Sequence, residues 1–346
     1  MGLSNRRQFI KKAVLGGAGI SISVPTIASK NETDDSFSFL HLTDIHVRRK
    51  RKGDLGFAAC VEKVNSLQLK SDFILLGGDQ VFDGMYTEKE EYLDQIEVFK
   101  SVSKGFEIPL YHCIGNHDVF GRSSRRKVPS NDPDIGKELY MKAFGMESPY
   151  YSFDHKGWHF VILDSLLEVV ADHGPSQTHA FGEKQLEWLR FDLGSNYGKP
   201  TIIVTHIAAF NNIGQINASP GLMAMNHMVV TDNLAFRHII ERHHVKVVLQ
   251  GHSHIPEEYF FNGIWYLTSQ SVSAAWWGGN WKGYKPGFTQ FMVSGDTLSW
   301  NKVDFEWEAQ LEPEDDLERN RIKEYEEFQK EQKALLETER MGVKGK

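Results

Sequence analysis

Cysteine is nearly absent from this 346-residue chain, which has only Cys60 and Cys113. Their spacing gives no evidence for a disulfide, so two buried thiols are expected and no thiolate cluster is available for a metal. A surplus of positive charge is also missing. The formal net charge of −7 argues against a nucleic-acid footprint spread over the surface. There is no internal repeat, and no run after the N-terminal segment approaches the roughly 20 apolar residues of a membrane span. What is present, 40% hydrophobic and 25% charged residues, suits one sizeable globular domain.

The polar residues that stand out occur as five short blocks: Asp44-Ile45-His46, Gly78-Asp79, Gly115-Asn116-His117-Asp118, Thr205-His206 and Gly251-His252-Ser253-His254. Each follows an apolar run, namely Phe37 to Leu42, Phe73 to Leu76, Leu110 to Ile114, Thr201 to Val204 and Val245 to Leu249. Strands that end in active-site loops of α/β proteins have this pattern. On an extended segment Asp44 and His46 leave the same face and grip one ion together, and His252 and His254 repeat the spacing. Asp79, after Gly77 and Gly78, is the best candidate for a carboxylate shared by two ions. Asn116 offers a neutral amide oxygen. Imidazole and carboxylate ligands suit Mn, Fe or Zn rather than Cu(I) or an iron-sulfur cluster. Two divalent ions outweigh the two carboxylates and attract a phosphate, which makes phosphoester hydrolysis the expected chemistry. Singly, each block has an ordinary explanation as a turn or a core histidine, but the ordered set does not. The remaining histidines are read as structural, with His41 alternating outward and His243 and His244 ending a helix.

The ordered pattern D-x-H, GD, GNHD, H and G-H-x-H resembles the calcineurin-like metallophosphoesterase superfamily, within it the bacterial branch that includes class III cyclic nucleotide phosphodiesterases. The similarity runs from about Phe37 to Phe305. It implies a four-layer α/β/β/α sandwich of two mixed sheets, with a dinuclear metal site at the strand ends. It further implies that Asp44, His46, Asp79 and His254 hold one metal, that Asp79, Asn116, His206 and His252 hold the other, and that metal-bound hydroxide attacks phosphorus in line. His117 matches the family's non-ligand histidine, which protonates the leaving oxygen or stabilises the charge developing on the phosphoryl group. Related Ser/Thr phosphatases support that histidine with an Asp three residues after the bridging one. That place is Phe82 here, so Asp83, Asp118 or neither does so. No Tyr follows Asp79 as in purple acid phosphatases. The alternative is a non-catalytic metal-binding protein that keeps the fold.

Residues 1–28 resemble a twin-arginine signal peptide: Arg6-Arg7-Gln8-Phe9, an apolar stretch from Ala13 to Val24, and small Thr26 and Ala28 before a cleavage point. The expectation is use of the twin-arginine export machinery and a periplasmic or secreted product, with an uncleaved anchor as the alternative. Residues 29–36 read as a linker, 37–305 as the phosphoesterase domain and 306–346 as a charged, helical tail. Helices are expected over Phe57 to Leu69, Lys89 to Val102, Lys184 to Leu193 and Asp232 to His243, with hairpins over Tyr150 to Asp164 and Gln290 to Asp304. Three segments are candidates for setting substrate choice, with a solvated loop as the equal alternative for the first and core packing for the second. Arg122 and Arg125 belong to the basic insert after GNHD, Trp276 and Trp277 to an aromatic and glycine-rich run, and Asn217, Asn226 and His227 to a loop near His206. The substrate is expected to be a small-molecule phosphoester.

Overall fold

The computed structural model describes residues 36–211 and 228–310. The expected export signal with most of its linker, the loop carrying Asn217, Asn226 and His227, and the tail beyond residue 310 lie outside the described residues.

Alternation along the strands explains the layers. In β1 (Ser36–Leu42) Phe37 and Phe39 point one way and Leu40 and Leu42 the other, yet all four are buried. A strand buried on both faces needs a partner layer on each side. The first face joins Phe73 and Leu75 of β2 (Phe73–Leu76) and meets Phe160 and Ile162 of β5 (Trp158–Ile162), Ile202 of β8 (Thr201–Val204) and Val247 of β9 (Val245–Gln250). This is the layer between the two sheets. The second face packs under Phe57, Cys60 and Val61 of α1 (Gly53–Asn65) and Val98 and Phe99 of α2 (Lys89–Ser103). In the other sheet Val161, Ile203 and Val248 face outward, under Leu189 of α4 (Glu183–Ser195) and Phe236 of α5 (Asn233–Ile240). The result is the expected helix, sheet, sheet, helix sandwich.

With β3 (Leu110–His112), β12 (Gly287–Ser294) and β13 (Thr297–Asp304), the first sheet has the order β13-β12-β1-β2-β3. The second adds β4 (Tyr151–His155), β10 (Glu257–Phe261) and β11 (Ile264–Thr268) in the order β10-β11-β9-β8-β5-β4. Strands β1, β2 and β3 are mutually parallel, as are β5, β8, β9 and β11. Parallel strands bring their C-terminal ends to one edge, so all five blocks emerge there. The two edges are stitched together: Val272 N donates to Thr43 O at 3.0 Å and Ser273 N to Asp44 O at 3.2 Å.

Helix α1 begins four residues earlier than expected and ends earlier. Helix α3 (Glu138–Phe144), the hairpin of β6 (Leu166–Ala171) and β7 (Gly174–His179), and the hairpin β10–β11 were not foreseen. His41 does not point outward. It is fully buried on the inter-sheet side of β1, its Nδ1 lies 2.8 Å from Ser269 Oγ, and burial lowers its pKa to about 3.

Candidate metal centre

The loops after β1 and β2 run side by side, with Asp44 N donating to Gly78 O at 3.0 Å and His46 N to Asp79 O at 2.9 Å. Contrary to the extended reading, Asp44 (φ 57°) and His46 (φ 47°) are left-handed, as are Asp79, His252 and His254. Non-glycine residues rarely adopt this conformation, and its clustering marks a site where the surrounding structure overrides backbone preference. Two glycines make room. A Cβ on Gly78 (φ +99°) would lie 2.4 Å from His206 Nδ1, and one on Gly115 would lie 2.2 Å from Asp79 Oδ1.

Three groups of potential ligands form within this space: Asp44, His46 and His254; Asp79, His206 and His252; and His46, Asp79 and His117. His252 and His254, two residues apart, therefore go to different groups rather than to one. Asp79 Oδ2 stands between the first two groups, 3.6 Å from His46 Nε2 and 3.2 Å from His206 Nε2. Asn116 Oδ1 joins the second at 3.1 Å from His206 Nε2. Asp44, His46, Asp79, His206 and His254 are almost wholly buried, and His252 is partly exposed.

The donor chemistry fits cations. His254 Nδ1 is 2.6 Å from Ala274 O, His206 Nδ1 is 2.8 Å from Gly77 O, and His46 Nδ1 is 3.3 Å from Phe82 O. A carbonyl accepts only, so each ring carries its proton on Nδ1 and turns the Nε2 lone pair inward. His46 Nε2 and His254 Nε2 then face each other at 3.1 Å with no proton between them, beside Asp44 Oδ1 at 3.3 Å from His254 Nε2. His206 Nε2 likewise meets only the acceptors Asn116 Oδ1 and Asp79 Oδ2. Lone pairs brought this close repel unless positive charge lies among them.

The buried carboxylates impose the same demand. Burial opposes the charge on His206, yet Asp79 and then Asp44 outweigh it and push the imidazole up to about 9. His252 falls to about 3 because burial, and then the neighbouring His206 and His179, outweigh Asp79 and Asp44. Asp44 is held below the usual carboxylate range: burial acts against its charge, but His254 and His206 prevail.

His117 lies beside His46, with ring centroids 4.8 Å apart, and its backbone N donates to Asp79 Oδ1 at 2.8 Å. Asp83 Oδ1 is 3.5 Å from His117 Nδ1, an ion-pair separation rather than a formed hydrogen bond, and Nδ1 has no closer partner. Asp118 plays no such part. Its Oδ1 accepts from Gln80 N and Val81 N, and its Oδ2 from Gly115 N, which fixes both loops. Burial works against a charged His117, but Asp79 and then Asp83 raise it to about 9.

The residues expected to contact substrate are placed differently. Arg122 Nη2 pairs with Glu168 Oε2 at 2.8 Å and Nη1 donates to Ser176 O at 3.3 Å, so it anchors the β6–β7 hairpin. Arg125 lies over the Tyr86 ring, 4.4 Å from its centroid. Trp276 packs on His254, with centroids 4.3 Å apart. Trp277 is fully buried in the core under α1 and is not a wall of the site. The segment after β11 was missed as a support: the hydroxyls of Ser271 and Ser273 donate to Asp44 O at 2.9 and 2.8 Å, and Ala274 O holds His254. Nothing in Ser-Val-Ser-Ala announces that role, since it depends on where a strand distant in sequence ends.

Residues 37–256 match the profile of the calcineurin-like phosphoesterase family. A probable cyclic nucleotide phosphodiesterase of Xenorhabdus bovienii is 22% identical over 255 residues, covering 69% of this chain and 87% of the relative. Among solved structures, the phosphopantetheinyl hydrolase of Mycobacterium tuberculosis aligns with a TM-score of 0.42 at 13% identity, over 69% of this chain and 91% of its own. The anchor protein of the Plasmodium inner membrane complex aligns with a TM-score of 0.46 at 13% identity, over 78% and 84%. With its ordered motifs gathered at one edge of two mixed sheets and the family profile matched over most of the domain, the chain belongs to the calcineurin-like phosphoesterase family and is a hydrolase of ester bonds.

Proposed function

We propose that the protein is a dinuclear metal phosphodiesterase that acts outside the cytoplasm. The observation that carries this reading is the pair of inward-facing ligand groups with Asp79 Oδ2 between them. Asp44, His46 and His254 would hold one divalent ion and Asn116, His206 and His252 the other, with Asp79 available to both groups; the oxygen and imidazole set admits Mn, Fe or Zn. When bound, the two ions activate water and draw charge from the phosphoryl oxygens. The carbonyls of Ala274, Gly77 and Phe82 keep the three imidazoles in the ligating tautomer. His117, with Nδ1 turned to Asp83, presents Nε2 to the leaving oxygen and supplies its proton.

A diester is favoured over a monoester by the relative named a probable cyclic nucleotide phosphodiesterase. Export is supported by the arginine pair and apolar stretch of residues 6–24. The test is a rate panel on metal-quantified protein, comparing bis(p-nitrophenyl) phosphate, p-nitrophenyl phosphate and 2′,3′- and 3′,5′-cyclic nucleotides with added Mn²⁺, Fe²⁺ or Zn²⁺. Faster metal-dependent turnover of the diesters is expected. A preference for the monoester would overturn the diester assignment, and full activity after exhaustive chelation would overturn the metal assignment. Cell fractionation of the Arg6→Lys, Arg7→Lys double variant tests export, with the product expected to stay in the cytoplasm.

A further inference from the structure

Trp276 and Trp277 are adjacent in sequence and opposite in placement. Trp277 is fully buried, its indole wedged so closely over α1 that a Cβ on Gly56 would lie 2.4 Å from Cε3, and Nε1 donates to His46 O at 3.2 Å. Core packing accounts for it completely. Trp276 remains partly exposed beside the first ligand group, its ring centroid 4.3 Å from that of His254 and 5.7 Å from that of His46. Trp281 stands edge-on to it, with centroids 5.3 Å apart and planes at 79°.

The backbone that sorts the two indoles is left-handed at both, with φ 50° at Trp276 and 67° at Trp277, a conformation unfavourable for bulky side chains. It is held in place from below. The buried Arg51 donates from Nη1 to Trp276 O at 3.0 Å, and Trp277 N donates to Ser273 O at 2.9 Å. The core does not need a second indole here, and holding one partly exposed against a ligand histidine in a strained turn calls for another explanation.

A phosphate held by the two ligand groups must send its non-leaving ester substituent out past one of the surrounding walls. We infer that Trp276, braced by Trp281, is the wall that receives an aromatic substituent, a nucleobase or aryl ring, of the diester substrate; this deepens the phosphodiester reading and rests on it. Lys282 Nζ lies 5.5 Å from the Trp281 ring centroid, a cation against the indole that braces Trp276. Stacking uses the π-face that every base has, so such a wall selects nucleoside or aryl over alkyl esters without choosing among bases.

Two diesters with the same leaving group separate this from general activity: thymidine 5′-(p-nitrophenyl phosphate) and methyl p-nitrophenyl phosphate. The wild-type enzyme is expected to favour the thymidine ester in kcat/KM by about tenfold or more, and Trp276→Leu to remove most of that preference, while Trp276→Phe retains much of it. If Trp276→Leu lowers both rates in proportion and leaves the ratio intact, Trp276 is a structural support and the inference fails. Should Trp276→Leu not fold, Trp281→Leu is expected to shift the ratio in the same direction, and an unaltered ratio there counts against the wall. If the wild type cleaves neither ester, the phosphodiester reading fails first. Quenching of indole fluorescence then decides the wall, with thymidine 5′-monophosphate expected to bind at least tenfold more tightly than methyl phosphate and equal affinities overturning it.

Discussion

The two halves of the centre are built from similar ligands but enclosed differently. Asp44, His46 and His254 are sealed: Trp276 covers His254, and Ser271, Ser273, Ala274 and Trp277 clamp the backbone or rings from behind. The half formed by Asn116, His206 and His252 is less enclosed among the described residues, since His252 is partly exposed and meets His179 edge-on at 5.4 Å. The clamp on the sealed half lies after residue 256, where the family match ends. The family motifs therefore carry the candidate ligands, and a segment outside them braces one half of the site.

Removing the element common to both halves breaks the comparison most completely. Asp79→Asn is expected to lose both ions by elemental analysis, and turnover with them, exceeding the ~10²–10⁴-fold loss expected for His117→Ala. That second variant should retain both metals, so a metal-depleted His117→Ala protein would show that His117 acts as a ligand and not as an acid. A smaller change sharpens the contrast: the Ser271→Ala, Ser273→Ala double variant should weaken only the tighter step of a two-step metal titration, by roughly 10- to 100-fold. Equal weakening of both steps would mean that the clamp serves the whole centre. On slow chelation, the ion at Asn116, His206 and His252 should leave first.

The smallest effect is expected far from either half. His159, between Asp192 and Asp154 at 2.8 Å each, is opposed in its charge by burial but raised overall by Asp192 and then Asp154. A raised folded pKa contributes stability that is full below the unfolded value of about 6.5 and fades as pH climbs through the folded one. His159→Gln should therefore lower Tm by roughly a few degrees at pH 6 and by less at pH 9. The opposite trend would mean that this histidine is buried neutral.

The sandwich was legible because alternation in strands such as Phe37 to Leu42 states burial on both faces, and the five blocks were legible because each sits at the end of such a run. Local propensity did not reveal the left-handed turns at Asp44 and His46, which tertiary contacts impose on residues free to be extended elsewhere. His41 does not alternate outward because it shares the inter-sheet face of β1 with Phe37 and Phe39, where Ser269 provides a partner. Helix α3 is only two turns long, and the strand Gly174–His179 carries no apolar alternation, so neither left a periodic signal. Trp276 and Trp277 look alike in sequence, and only the turn between them separates wall from core.

The stitching of the two sheet edges also has a consequence for the order of assembly. His46 and His254 are 208 positions apart, and Asp44 is steadied by Ser273, 229 positions away. Contacts this distant close late, after the cost of ordering most of the intervening chain has been met. The segment from β1 to β3 would therefore carry Asp44, His46 and Asp79 as an incomplete ligand set until β9 and β11, and β12 beside β1, have docked. A fully loaded centre thus reports that both halves of the chain have been synthesised, folded and brought into register.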